Sequence, residues 1–150
     1  MFMTYNDMMN VFECAKKHYS QKKLEHALAV VAYVELDCRY MLMTDEEKFM
    51  VRAIAVAHDL IEDTKCSWSE LQDCITNDDE KRQLYIAVDL LTHRHEHSYE
   101  QYIDMIVRSK NLFAIMVKQA DMKDHIVRKG TLTKKLKEKY EPVMPRLLRA

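Results

Sequence analysis

A single glycine, Gly130, and two prolines, Pro142 and Pro145, in 150 residues place the tightest limit on what this chain can fold into. Hairpins and sheet turns draw on Gly for positive-φ positions and on Pro for preset ones. A chain almost without either reverses direction mainly through short helix–helix connections. The expectation is an all-α protein, a helical bundle forming a single domain across 1–150. That length matches one domain and is enough to bury a core.

The apolar pattern agrees. Met8, Val11, Phe12 and Ala15 recur at helical spacing, as do Ala27, Val30, Val31 and Val34. Leu84, Ala87, Val88 and Leu91 form a third stripe, and Phe113, Met116, Val117 and Ala120 a fourth. Thr44 with Glu47, Ser67 with Glu70 and Ser98 with Gln101 read as capping boxes, and Asn77 and Asn111 as simple N-caps. These signals predict helices over roughly 5–19, 22–39, 45–62, 68–75, 79–92, 99–109, 112–129 and 132–147, with ends good to about ±2–4 residues. Gly130 is expected as a helix C-cap and Pro142 as a kink or stop. The tail "TLTKKLKEKYEPV" reads as an amphipathic capping helix with Leu132, Leu136 and Tyr140 inward; self-association is the alternative use of its surface. No repeat, linker or low-complexity stretch divides the chain.

Lys plus Arg number 23 and Asp plus Glu 24, so neither nucleic acid nor an anionic membrane is an expected partner. No apolar run has the length of a membrane span, and "MFMTYNDMMN" lacks the basic start and apolar core of a signal peptide. The expected location is the cytoplasm. Cys14, Cys38, Cys66 and Cys74 show no CxxC spacing; they are expected to be reduced thiols packed as small apolar residues. Trp68, Phe113 and the eleven methionines read as core or adaptable packing.

One stretch resists a purely structural reading. "AVAHDLIEDT", residues 55–64, carries His58, Asp59, Glu62 and Asp63 directly after an apolar run. At i, i+3, i+4 spacing, Val51, Ile54, Ala55, His58 and Glu62 share a helix face, with Asp59 beside it. Any one of them alone reads as a core histidine or a solvated acid. Together, buried carboxylates cost several kcal/mol each unless a cation or strong donors compensate. A divalent metal accepts both imidazole nitrogen and carboxylate oxygen. His26 in "LEHALAVV" and Asp121 in "VKQADMKDH" lie on apolar faces of two other expected helices, and a site drawn from several helices is a normal way to build a bundle core.

The order His26, His58-Asp59, Asp121 resembles the HD superfamily of metal-dependent phosphohydrolases. "HDLIEDT", "LTHR", "YEQYIDMI" and "VKQADMKDH" are similar to the hydrolase domain of the RelA/SpoT alarmone enzymes and their small single-domain relatives, over most of residues 5 to 128. The resemblance implies an HD-type bundle. It implies His26, His58, Asp59 and Asp121 as metal ligands, with Mn2+ the typical ion and another divalent transition metal as the variant. Glu62 and Asp63 correspond to the family's catalytic acidic pair, and Lys118 matches the lysine before its last metal Asp. Two departures stand out. His125 occupies a position where the family commonly has Asn. The basic segment before the first ligand, which helps hold the guanine base, is reduced to "SQKKLEH", with Lys22 and Lys23 as loose counterparts.

In such a site, the cation makes water more acidic and neutralises charge on phosphoryl oxygens. Glu62 would orient and deprotonate the attacking water, and Asp63 would steer it. Lys118 and His125 lie on the same helix face as Asp121, placed to hold phosphate or protonate a leaving oxygen. Arg94 offers a bidentate grip on phosphate. Tyr99 and Tyr102 are candidates for walls of a nucleotide pocket. His93, His95 and His97 alternate, which suits a loop. The expected activity is removal of pyrophosphate from the 3′ position of guanosine tetra- or pentaphosphate, a small-molecule nucleotide substrate. The alternatives are an HD-type nucleotidase or phosphodiesterase on another (deoxy)nucleotide, and a non-catalytic nucleotide- or protein-binding module.

Overall fold

Helix starts follow the side-chain caps. In the computed structural model, which describes residues 3–128 and 130–150, α1 (Tyr5–His18) begins on a Thr4–Asp7 capping box, and α2 (Gln21–Glu35) on Ser20. α4 (Asp45–Ala57) opens on Thr44–Glu47, α7 (Asp78–Leu90) on Asn77, α8 (Tyr99–Ser109) on Ser98–Gln101, and α9 (Leu112–Val127) on Asn111. Short helices complete the set: α3 (Cys38–Met41), α5 (Leu60–Asp63), α6 (Trp68–Gln72), α10 (Lys134–Tyr140) and α11 (Met144–Arg149). The described residues contain no strand, so the fold is all-α. None of the helices is long and apolar enough to cross a membrane.

Two helices lie at the centre. On α4, Ala53, Ile54, Ala55, Val56 and Ala57 are all fully buried. Alternating small residues let neighbours approach from every side, and α1, α2, α7 and α9 pack on it. On α9 every residue from Ala114 to Met122 is buried, and α2, α4, α7, α8 and α11 pack against it. A helix buried all round has no solvated face on which to place charge. Ionisable groups on the buried stretches of these two helices therefore have to be satisfied inside the protein.

The structure departs from the predicted boundaries in several places, each with a local cause. The expected helix over 22–39 is two, α2 and α3, because the Asp37 carboxylate accepts the Arg39 N–H at 2.8 Å and starts a new helix. The expected 68–75 helix stops at Gln72. Its Ser67 caps the Glu70 N–H, but the Glu70 side chain turns to Lys17 and His18 instead of closing the box. The 132–147 helix divides into α10 and α11 around Pro142. α9 ends at Val127 with extended Arg128 as its cap, so Gly130 (φ +84°) serves the following turn rather than capping the helix.

The most consequential departure lies within 45–62. The helix stops at Ala57, and Asp59 (φ −105°, ψ 1°) separates α4 from α5. The Ala55 carbonyl accepts from His58 Nδ1 at 2.7 Å. The Tyr19 hydroxyl donates to the Val56 carbonyl at 2.9 Å and accepts the Asp59 N–H at 3.2 Å. Side chains inserted into the backbone ladder in this way break a helix. His58 and Glu62 thus do not share one continuous helical face. Among the cysteines, Cys14 and Cys66 are buried as expected, whereas Cys38 is exposed and Cys74 half-buried. Met41 and Met105 lie at the surface rather than in the core.

Candidate metal centre

Three elements bring ligands to one point. His26 comes from the first turns of α2, His58 and Asp59 from the α4–α5 break, and Asp121 from α9. One ligand atom from each lies within 4.8 Å of all the others. His26 Nε2 stands 2.8 Å from Asp121 Oδ1 and 3.9 Å from Asp59 Oδ2. His58 Nε2 stands 3.1 Å from Asp59 Oδ2 and 3.5 Å from Asp121 Oδ1. The break in the helix matters here, because it turns consecutive residues His58 and Asp59 toward the same centre.

Hydrogen bonds on the outer side of each ring account for both Nδ1 atoms. The Ala55 carbonyl can only accept, so His58 Nδ1 carries the proton. His26 Nδ1 faces the Asp124 carboxylate at 2.6 Å and donates to it. Burial opposes ionisation of Asp124, but Arg128 and His26 hold its carboxyl below the usual range. Both Nε2 atoms therefore point at carboxylates. His58 Nε2 is buried and has no hydrogen-bond partner among the described residues.

The electrostatics call for positive charge at the centre. Burial disfavours a charged His58, yet Asp59 and Asp121 overrule it and hold its pKa well above the ordinary histidine value. His26 is raised too, with Asp121 outweighing burial. Burial likewise opposes ionisation of Asp121, but the Lys118 ammonium, then His125, His26 and His58, drive its pKa well below the carboxylate range. Two imidazole lone pairs directed at two buried carboxylates repel unless a proton or a cation stands between them. A divalent cation satisfies all four groups at once, and the mixed N/O donor set suits manganese, iron, cobalt, nickel or zinc. The residues fit a metal.

An open cavity of about 270 Å³ lies over this cluster. Glu62 and Asp63 sit at its mouth on α5. Glu62 Oε1 accepts the His93 N–H at 2.7 Å. Burial of its carboxyl end, joined by the Asp59 and Asp63 charges, raises the Glu62 pKa above the usual value. Asp63 pairs with Lys23 at 2.9 Å. One wall is aromatic. Tyr99 and Tyr102 carry Lys118 over their rings at 5.6 and 5.2 Å from the centroids, and His93 stacks on Tyr102 at 4.8 Å. Leu136, Lys139 and Tyr140 of α10 continue the lining beside Tyr99, with Lys139 Nζ 5.7 Å from the Tyr99 ring centroid.

Lys118 is 8% exposed, so it is a buried cation rather than a solvated lysine, held by Asp121 Oδ2 at 2.8 Å. His125 belongs to the cluster: its Nε2 is 3.4 Å from Asp121 Oδ1 and its ring packs on His26. Two expected substrate residues lie elsewhere. Lys22 is exposed and does not line the cavity. Arg94 is exposed and paired with Asp89, outside the cavity lining. Sequence reasoning missed Asp124, three residues beyond Asp121 on the same buried face, a spacing that was available to be read. It also missed Tyr19, for which the sequence carried no separate signal, and read Tyr140 only as an inward-facing residue of the tail helix, which is buried as expected.

A larger depression of about 640 Å³ between α4 and α7 is lined by Glu46, Glu47, Asp79 and Glu80 among others. It has no converging base or ligand set. Comparison with protein-family models, curated proteins and solved structures yields no match for this chain.

Proposed function

We propose that this protein is a divalent-metal-dependent phosphohydrolase acting on a nucleotide, with the 3′-pyrophosphate of guanosine tetra- or pentaphosphate as its leading substrate. The observation that carries the reading is the convergence of His26, His58, Asp59 and Asp121 within 4.8 Å, with both imidazole Nε2 atoms turned inward. These four residues would hold the cation, manganese being the first candidate. When bound there, such an ion polarises phosphoryl oxygens and acidifies water.

The chain's own groups supply the rest. Glu62, with its raised pKa and its fixed hydrogen bond to the His93 N–H, takes a proton from the attacking water. The water oxygen bonds to phosphorus, the bond between phosphorus and the ribose 3′ oxygen breaks, and pyrophosphate leaves GDP or GTP behind. The Lys23–Asp63 pair holds the acidic pair in register. His125, beside Asp121, is placed to protonate the departing 3′ oxygen. Lys118 and Lys139 provide positive charge for phosphates, and Tyr99 offers an aromatic face to a base.

A second reading changes only the substrate. Lys22 and Arg94 lie outside the cavity and Lys23 is engaged by Asp63, which leaves little to grip guanine. A different (deoxy)nucleotide suits that arrangement. The test is incubation with manganese and guanosine tetraphosphate, beside a panel of nucleotides. Pyrophosphate and GDP are expected, lost on chelation and reduced roughly 10²–10⁴-fold in Glu62→Gln. Intact tetraphosphate at high enzyme concentration, with turnover of another nucleotide, selects the second reading. No turnover of any nucleotide by metal-loaded protein overturns both.

A further inference from the structure

We infer that Cys14, His18, Cys66 and Glu70 form a second metal site, selective for a thiophilic ion such as zinc, which braces the segment carrying the acidic pair. It shares no residue with the histidine–carboxylate centre. One ligand atom from each of the four lies within 4.8 Å of the others. Cys14 and His18 are one turn apart on α1; Cys66 and Glu70 bracket the start of α6.

The geometry and the chemistry agree. Two thiolates each about 2.3 Å from a tetrahedral zinc stand about 3.8 Å apart; Cys14 Sγ and Cys66 Sγ are 3.7 Å apart. Glu70 Oε2 lies 4.0 Å from Cys14 Sγ and is hydrogen-bonded to His18 Nε2 at 2.5 Å, a contact that opens when both become ligands. Both thiols are buried, while His18 and Glu70 form a partly open rim with side chains 16% and 35% exposed. That gradient gives an ion an entry path and a dry sulfur floor. Two thiolates and a carboxylate leave a Zn2+ site with one net negative charge, and Lys17 Nζ, 3.3 Å from Glu70 Oε2, balances it. Each coordinating thiol releases its proton to solvent as the metal binds. Cys74 is not part of the set; its thiol faces the Asn10 and Glu70 carbonyls.

The location supplies the consequence. Cys66 follows Asp63 by three residues, and its N–H is held by Thr64 Oγ1, which bonds back to Leu60 in α5. Tyr19, next to His18, holds the other end of α5 through Asp59. An ion on this cluster pins the end of α1 to the exit of α5 and so fixes the helix that presents Glu62 and Asp63.

Cobalt(II) titration of the full, reduced protein tests this, because only thiolate ligands give an intense near-ultraviolet sulfur-to-cobalt absorption. The expected result is one equivalent of that band, displaced by zinc, lost in Cys14→Ser/Cys66→Ser and retained in Asp59→Asn. His18→Ala, at the partly open rim, keeps the fold and weakens cobalt binding roughly tenfold or more. Absence of the band at saturating cobalt, its persistence without the two cysteines, or unchanged affinity in His18→Ala overturns the assignment. None of these readouts depends on hydrolytic activity, and titration in the Asp59→Asn background keeps cobalt held at the other centre from entering the count.

Discussion

His26 and Asp124 face each other across 2.6 Å between Nδ1 and Oδ2, and both are buried. The contact orients the whole centre: it settles which histidine nitrogen is protonated, and so directs Nε2 toward Asp121 and Asp59. Arg128 Nε donates to the same carboxylate oxygen, Asp124 Oδ2, at 3.0 Å. A carboxylate behind a ligating imidazole raises the basicity of the ring and stiffens it.

Asp124→Asn is therefore expected to lower manganese affinity by about 10–100-fold while leaving the helical circular-dichroism spectrum unchanged. Isothermal titration of the variant beside wild type measures the difference. Equal affinities mean that His26 does not act as a ligand.

Manganese should also stabilise the fold. At a concentration 100-fold above its Kd, an ion that binds only the native state adds about 2.7 kcal/mol, raising Tm by roughly 5–10 °C in a domain of this size. Chelation reverses the gain, and Asp121→Asn abolishes it. Thermal melts with and without metal read the effect. Manganese prefers oxygen and imidazole donors over thiolates, so the Cys14–Cys66 cluster does not contribute to this shift.

The sequence disclosed the class of fold and four side chains that converge in it because both rest on local signals. Glycine scarcity, the caps at Thr44, Asn77 and Ser98, and the 3.6-residue stripes act within a few positions. His26, His58, Asp59 and Asp121 are conspicuous as ionisable residues on apolar faces. What stayed hidden depends on distant partners. Tyr19 breaks α4 from 40 positions away in sequence, and nothing in its neighbourhood sets it apart from an ordinary core tyrosine. Arg94 looked like a phosphate grip because its charge is visible in the sequence and its pairing with Asp89 is not. Glu70 read as part of a capping box, but a long-range contact with His18 took its side chain elsewhere.

Tyr19→Phe tests the break directly. The substitution keeps the ring and removes a hydroxyl that serves both the Val56 carbonyl and the Asp59 N–H. Leaving buried backbone groups unpaired costs roughly 1–3 kcal/mol. Urea unfolding should show a loss of that size with an unchanged m-value. Because Asp59 is then held less firmly, manganese binding should weaken in the same variant. A stability loss without any change in metal affinity would separate the hydroxyl's packing role from its role in placing Asp59.

Acid stability offers a check away from the metal centre. Asp37 caps α3 and pairs with Arg39 through both oxygens, while Arg39 also reaches Gln119 on α9. The Arg39 side-chain bond, working against partial burial, lowers the Asp37 pKa below its ordinary value. The unfolded chain then binds a proton more readily than the folded one. The stabilisation is complete above the ordinary carboxyl pKa of about 4 and disappears as pH falls through the lower folded value. Solvent reaches part of this pair, so its contribution is on the order of 1 kcal/mol or less. Asp37→Asn should lower stability at neutral pH by about that amount. Wild type and variant should converge as pH falls from about 4 toward 2, a trend that denaturant melts at stepped pH resolve. A gap that persists at low pH would mean that Asp37 acts through its neutral hydrogen bonds, not its charge.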